Sequence, residues 1–170
     1  MGKARLYVQL LFLLLVVGIF HFYQLGSIPP GISNDEANIG YEAWSIASTG
    51  RDQWGNLLPL TFRGFGNWSL PVYIYLLAPF VKIFGPEIWS VRLLGLISGS
   101  LLCWSAYLLV KKLSGSKNMA ITAAVMVGIT PWIFGLTRPA SEVPLAMVFF
   151  MSCIYLVLEK KIVILFFQIT

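Results

Sequence analysis

The stretch Leu70-Pro-Val-Tyr-Ile-Tyr-Leu-Leu-Ala-Pro-Phe-Val-Lys-Ile-Phe84 decides how this chain meets a membrane. It is apolar enough to be mistaken for a span. As a helix its fifteen residues reach only about 22 Å, against a hydrocarbon core of about 30 Å. Pro71 suits a first helical turn, whereas Pro79 removes a backbone hydrogen bond in mid-segment. Length therefore favours a helix over residues 70–84 that lies along the interface or re-enters, rather than one that crosses.

Charge gives an independent test. If 70–84 does not cross, Lys3, Arg5, Lys111, Lys112, Lys117, Lys160 and Lys161 share one side, seven of the twelve basic residues with a single acid, Glu159. The other side then holds Arg51, Arg63, Lys82, Arg92 and Arg138 with the remaining six acids. If 70–84 does cross, the five lysines from Lys111 onward move outside. The excess of lysine and arginine in cytoplasmic loops prefers the first arrangement. It puts the amino terminus in the cytoplasm, and Asp35 and Glu142 together on the outer face, with the plasma membrane as the expected location.

Outward from that segment, the composition agrees. Of the 170 residues 58% are hydrophobic and 11% charged, where soluble domains carry roughly a quarter charged residues. The fold class is an all-α polytopic membrane protein with about four to five transmembrane helices. Spans are expected at 6–25, 88–110, 119–136 and 144–158, with a large outer loop at 26–87 that carries the interfacial helix. Residues 1–158 form one transmembrane domain, and 159–170 read as the start of a further, truncated span. The net charge of +5 is scattered in topology-setting clusters, which argues against nucleic acid. Cys103 and Cys153 lie in apolar runs and suggest neither a disulfide nor a metal pair. With one histidine, His21, read as interfacial, histidine-based metal sites are excluded within this chain.

The acids need an explanation. Ser33-Asn-Asp-Glu36 fits a capping box, with Ser33 as cap and Glu36 reaching back. Asp35 then lies in the first turn of a helix over 34–47, stopped by Gly50. Adjacent residues do not share a helix face, so Glu36 can cap while Asp35 serves as a base or metal ligand. Glu42 reads as solvated or interfacial. Glu142 falls on a turn between Pro139 and Pro144. Arg92 either snorkels to headgroups or recognises phosphate, for which its planar fork is suited.

Four stretches in order, NDEANIGYEAW, SLPVYIYLLAPFVKIFG, WSVRLLGLISG and TPWIFGLTRPASEVPLAMVFF, resemble the amino-terminal part of GT-C membrane glycosyltransferases. The closest likeness is to the protein O-mannosyltransferase and aminoarabinose-transferase group, glycosyltransferase family 39 and its bacterial relatives. The resemblance implies transfer of a sugar from a polyprenyl-phosphate carrier to a protein, lipid or glycan acceptor on the outer face, with inversion. It implies Asp35 as the catalytic base and Glu142 as the second-loop acid, where the family often has aspartate. It implies that Arg92, with Arg138, meets the carrier phosphate. A divalent metal ion held by Glu36 and Glu142 is a further expectation. Two other readings use the same residues. A non-catalytic membrane subunit or remnant would bind a lipid carrier or a partner protein. A transporter fragment is weaker, because transporters place acids in mid-span and here every acid is at a span edge or in a loop.

Overall fold

The computed structural model describes residues 18, 19, 22–64, 66 and 68–159. Among the described residues, six helices and one two-stranded ribbon follow in order: α1 (Asn34–Thr49), β1 (Phe62–Arg63), β2 (Trp68–Ser69), α2 (Pro71–Phe84), α3 (Ile88–Ser114), α4 (Lys117–Ile129), α5 (Pro131–Thr137) and α6 (Glu142–Leu158). His21 and the segments 1–17 and 160–170 lie outside the described residues, and with them most of the expected first span and all but Glu159 of the last.

Each helix boundary has a local cause. Ser33 caps α1 and Glu36 reaches back to the Ser33 N–H, so the capping box is present. Gly50, at φ 71°, ends α1 in the left-handed region that glycine enters at little cost. Pro71 opens α2, and the helix continues through Pro79 to Phe84. Ser116 caps α4 and Ser141 caps α6. Pro144 lies inside the first turn of α6, where a missing N–H costs little, so α6 starts before that proline rather than at it.

By length and composition α3 is able to cross a bilayer. The segment expected as one span over 119–136 is instead two helices, α4 and α5, meeting at 60° across Thr130. Pro131 causes the break, since it suits the first position of a new helix and not the interior of an old one. Taken together the bent pair also passes as a span. Helix α6 has 17 residues, about 25 Å.

Two polar ties fix the direction of the long helices. Glu36 joins Arg92, near the start of α3, to the Ala140 N–H just before α6. At their other ends Lys112 of α3 pairs with Glu159 after α6 at 2.7 Å. Helices α3 and α6 therefore run parallel, with the acids at one end and the lysine pair at the other. A core of Ile39, Ala43 and Ile46 from α1, Ile74, Leu77 and Val81 from α2, and Val91 and Leu94 from α3 closes the acid end. There α1 crosses α3 closely: a Cβ on Gly40 would meet Val91 Cγ2 at 2.9 Å.

Candidate functional site

Two buried arginines organise the acid end. The Arg92 side chain is fully buried. Its Nε and Nη2 donate to Glu36 at 2.8 and 3.2 Å, Nη1 donates to the carbonyls of Leu25 and Pro29, and Nη2 also donates to that of Gly31. Arg138, also buried, donates through Nε to the Ile28 carbonyl and through Nη2 to those of Tyr23 and Gln24. In the segment after the first apolar run the Gln24 carbonyl accepts from the Ser27 and Ile28 N–H groups, whereas those of Leu25, Ile28, Pro29 and Gly31 lie in a proline-bearing turn and need outside donors. The two guanidinium groups supply them.

This geometry redirects two expectations. Arg92 neither snorkels nor points into an open pocket, because its five N–H groups already meet five acceptors. Arg138 is likewise turned toward backbone carbonyls, with its guanidinium 5.0 Å from the Phe134 ring. Burial lowers the Arg138 pKa, and the nearby Arg92 charge adds to that.

Glu36 is equally committed. Oε1 accepts from Arg92 Nε and the Ala140 N–H, and Oε2 from the Ser33 N–H and Arg92 Nη2. Burial acts to raise its pKa. The hydrogen bonds from Arg92, Ser33 and Ala140, with the Arg92 charge, outweigh burial and hold the carboxyl below its ordinary value. Its lone pairs are used within the protein, which corrects its assignment as a metal ligand. Among the described residues no three His, Cys, Asp or Glu side chains gather as a metal-holding group. Asp35 and Glu142 remain as a carboxylate pair of the kind that Mg²⁺ accepts alongside water and substrate phosphate.

Asp35 and Glu142 do come together. Both line a cavity of about 340 Å³ whose walls include Ser33, Trp68, Ala140 and Ser141. Asp35, next to Glu36 on α1, is exposed where Glu36 is buried, so the two neighbours face opposite ways. Glu142 opens α6 and is half-buried. Its Oε1 accepts from the Leu70 N–H at 2.7 Å, tying α6 to the start of α2 across 72 residues. Burial raises the Glu142 pKa, the Leu70 hydrogen bond opposes this, and the Asp35 charge adds to the rise.

The turn that delivers Glu142 rests on two glycines of α3. A Cβ on Gly95 would meet the Thr137 carbonyl oxygen at 2.6 Å, and one on Gly99 would meet Thr137 Cγ2 at 2.9 Å. Small residues four apart let a backbone lie directly on a helix. The spacing is visible in the sequence, but the segment it receives is not.

One buried acid was unforeseen. Glu42, expected at a solvated or interfacial position, is fully buried on α1. Its Oε2 accepts from the Gln53 N–H, whereas its Oε1 has no hydrogen-bond partner. Burial raises its pKa, as does the charge of Asp52, against the hydrogen bonds from Gln53.

Helices dominate, one helix is long and apolar enough to cross a bilayer, and two acids share a cavity at its end: an all-α membrane protein with a polar site at one helix end. The family described as dolichyl-phosphate-mannose-protein mannosyltransferase matches residues 69–162, more than half of the chain, and the protein belongs to that family. It is thus a glycosyltransferase of the GT-C type, whose family is membrane-integral and uses polyprenyl-phosphate-linked sugar donors. No curated protein and no solved structure matches the chain.

Proposed function

We propose that the chain carries the acid end of a glycosyltransferase site that moves a sugar from a polyprenyl-phosphate carrier to an acceptor hydroxyl, with inversion, on the outer membrane face. The observation that supports this most is the single cavity lined by both Asp35 and Glu142. Asp35 is the base. It takes the proton of the acceptor hydroxyl as the oxygen bonds to the sugar C1. The C1–O bond to the carrier phosphate breaks, and its electron pair leaves with the phosphate. A positioned base of this kind contributes roughly 10²–10⁴-fold.

Glu142 assists by position. It lines the cavity beside Asp35 while its Oε1 accepts from the Leu70 N–H, which fixes the carboxyl at the wall. Arg92 and Arg138 act from behind the wall. Ala140 lines the cavity and donates its N–H to Glu36, the partner of Arg92. Arg92 thus holds that wall through Glu36, and the two guanidinium groups, less the one Glu36 charge, leave a net positive potential that favours the departing phosphate without touching it.

The test is sugar transfer by full-length protein in lipid nanodiscs. Asp35→Asn is expected to lose at least about a hundredfold in turnover at unchanged thermal stability. Undiminished turnover would end the assignment.

A further inference from the structure

Beside the acid cavity lies a second one, of about 410 Å³, lined by Trp54, Trp68, Arg63, Asn56 and Thr61 among others. Trp68 belongs to the walls of both. The two cavities are therefore neighbours across one indole ring.

The second cavity is built from fixed parts. Asp52, buried, accepts from the Trp54 and Asn56 N–H groups through Oδ1 and from Asn56 Nδ2 through Oδ2, which shapes the turn between them. Gln53 is pinned from below by Glu42 and Asn38, both buried. Trp54 Nε1 donates to the Arg63 carbonyl, and the Arg63 guanidinium lies 5.3 Å from the Trp54 ring. Arg63 and Trp68 face each other across the β1–β2 ribbon. Yet the tryptophans so held remain 59% and 68% exposed. Their rings are positioned without being covered.

Small-molecule sites are concave, about 300–1,000 Å³, with apolar surfaces and a few placed polar groups. Two indole rings with an arginine, an asparagine and a threonine at the rim suit a pyranose. The ring faces carry negative charge density and attract the weakly positive C–H face of the sugar, while the rim groups meet its hydroxyls. A bare alkyl chain would leave the polar rim unmatched.

We propose that the Trp54–Trp68 cleft is an acceptor subsite for a carbohydrate ring, so that the acceptor is itself a glycan, its free hydroxyl passing Trp68 toward Asp35. The role as acceptor site rests on the function proposed above; the binding of a sugar does not.

The experiment uses the full chain in detergent micelles with methyl α-D-glucopyranoside and methyl α-D-mannopyranoside as probes, followed by saturation-transfer NMR. Transfer to the ring C–H protons is expected in the unmodified protein and in Asp35→Asn alike. Trp54→Ala and Trp68→Ala should each weaken binding at least about fivefold. Trp68→Phe, which keeps a ring, should retain most of it, and Trp132→Ala on α5 should change nothing. Absence of transfer in the unmodified protein, or binding in the two alanine variants as strong as in the unmodified protein, overturns the subsite. So does quenching of Trp54 fluorescence by acyl-chain bromine in nanodiscs, which would place the ring in lipid. If Asp35→Asn keeps full turnover while the alanine variants lose the probes, the catalytic reading falls and the sugar cleft stands. The reverse pattern removes the cleft alone.

Discussion

Glu36 and Arg92 are 56 residues apart in sequence and meet through two hydrogen bonds, of 2.8 and 3.2 Å, in the buried acid end. The pair joins α1 to α3, and Glu36 extends the link to Ala140. Removing one partner of a buried ion pair strands the other and costs about 3–5 kcal/mol. Arg92→Leu is expected to lower the thermal midpoint sharply. Arg92→Lys should not rescue it, because an ammonium cannot reproduce five donors in a planar fork. Thermal unfolding in detergent checks both.

The same carboxyl predicts an acid limit. The Glu36 pKa is lowered in the folded protein, despite burial, by Arg92, Ser33 and Ala140. Its contribution is therefore fully present above the ordinary glutamate value, about 4.3, and is lost as pH falls through the lower folded value. Thermal midpoints of the unmodified protein should fall below about pH 4.3. In Glu36→Gln, already destabilised, that part of the pH dependence should be missing.

Glu42 predicts the opposite sign. Burial and the Asp52 charge raise its pKa in the folded state. Stability then declines as pH rises from the ordinary glutamate value through the raised folded one. Glu42→Gln removes that decline. The variant should gain on the unmodified protein as pH increases toward neutrality, seen as a widening gap between their thermal midpoints. A gap that stays constant with pH would show that Glu42 is not titrating in a buried site.

Gly95 tests the packing that delivers Glu142. Gly95→Val places side-chain atoms where the Thr137 carbonyl lies, 2.6 Å from an added Cβ. Overpacking of this kind costs about 1–3 kcal/mol, and here it pushes away the turn that carries Arg138 and Glu142. The expected result is loss of sugar transfer together with a lowered thermal midpoint. The same substitution at Gly135 of α5, where an added Cβ meets nothing within 4 Å and the backbone is helical, offers no such clash, so transfer should persist there.

The cavity pair can be followed directly. Burial and the Asp35 charge raise the Glu142 pKa. Replacing Asp35 by Asn removes the second of these, so the Glu142 carboxyl should titrate lower, toward its ordinary value. Carboxyl ¹³C NMR, with the resonance assigned through Glu142→Gln, measures the change.

Local signals were legible in the sequence where the cause was itself local. Ser33 and Glu36 announced the start of α1, Gly50 its end, and Pro71 the start of α2. Contacts between distant segments were not. Nothing near Arg92 shows that six carbonyls and a glutamate will compete for it and Arg138, since those partners come from residues 23–36. Helical spacing alone did not separate Glu42 from an ordinary solvent-facing acid, because the loop that covers it is held by Gln53, eleven residues on. The break at Thr130 had its signal in Pro131, but the apolar run continues through it and hides the 60° bend. Asp35 and Glu142 were readable as candidates, whereas their shared cavity depends on α3 and α6 running parallel.

The arginines grip the stretch from Tyr23 to Gly31 by its main chain alone: every bond that Arg92 and Arg138 make there ends on a carbonyl. The exposed side chains of that stretch are consequently uncoupled from the clamp, and a substitution such as Tyr23→Ala should be tolerated there. Insertions or deletions should not, since one residue more or fewer would slide the whole row of acceptors past two donors that cannot follow.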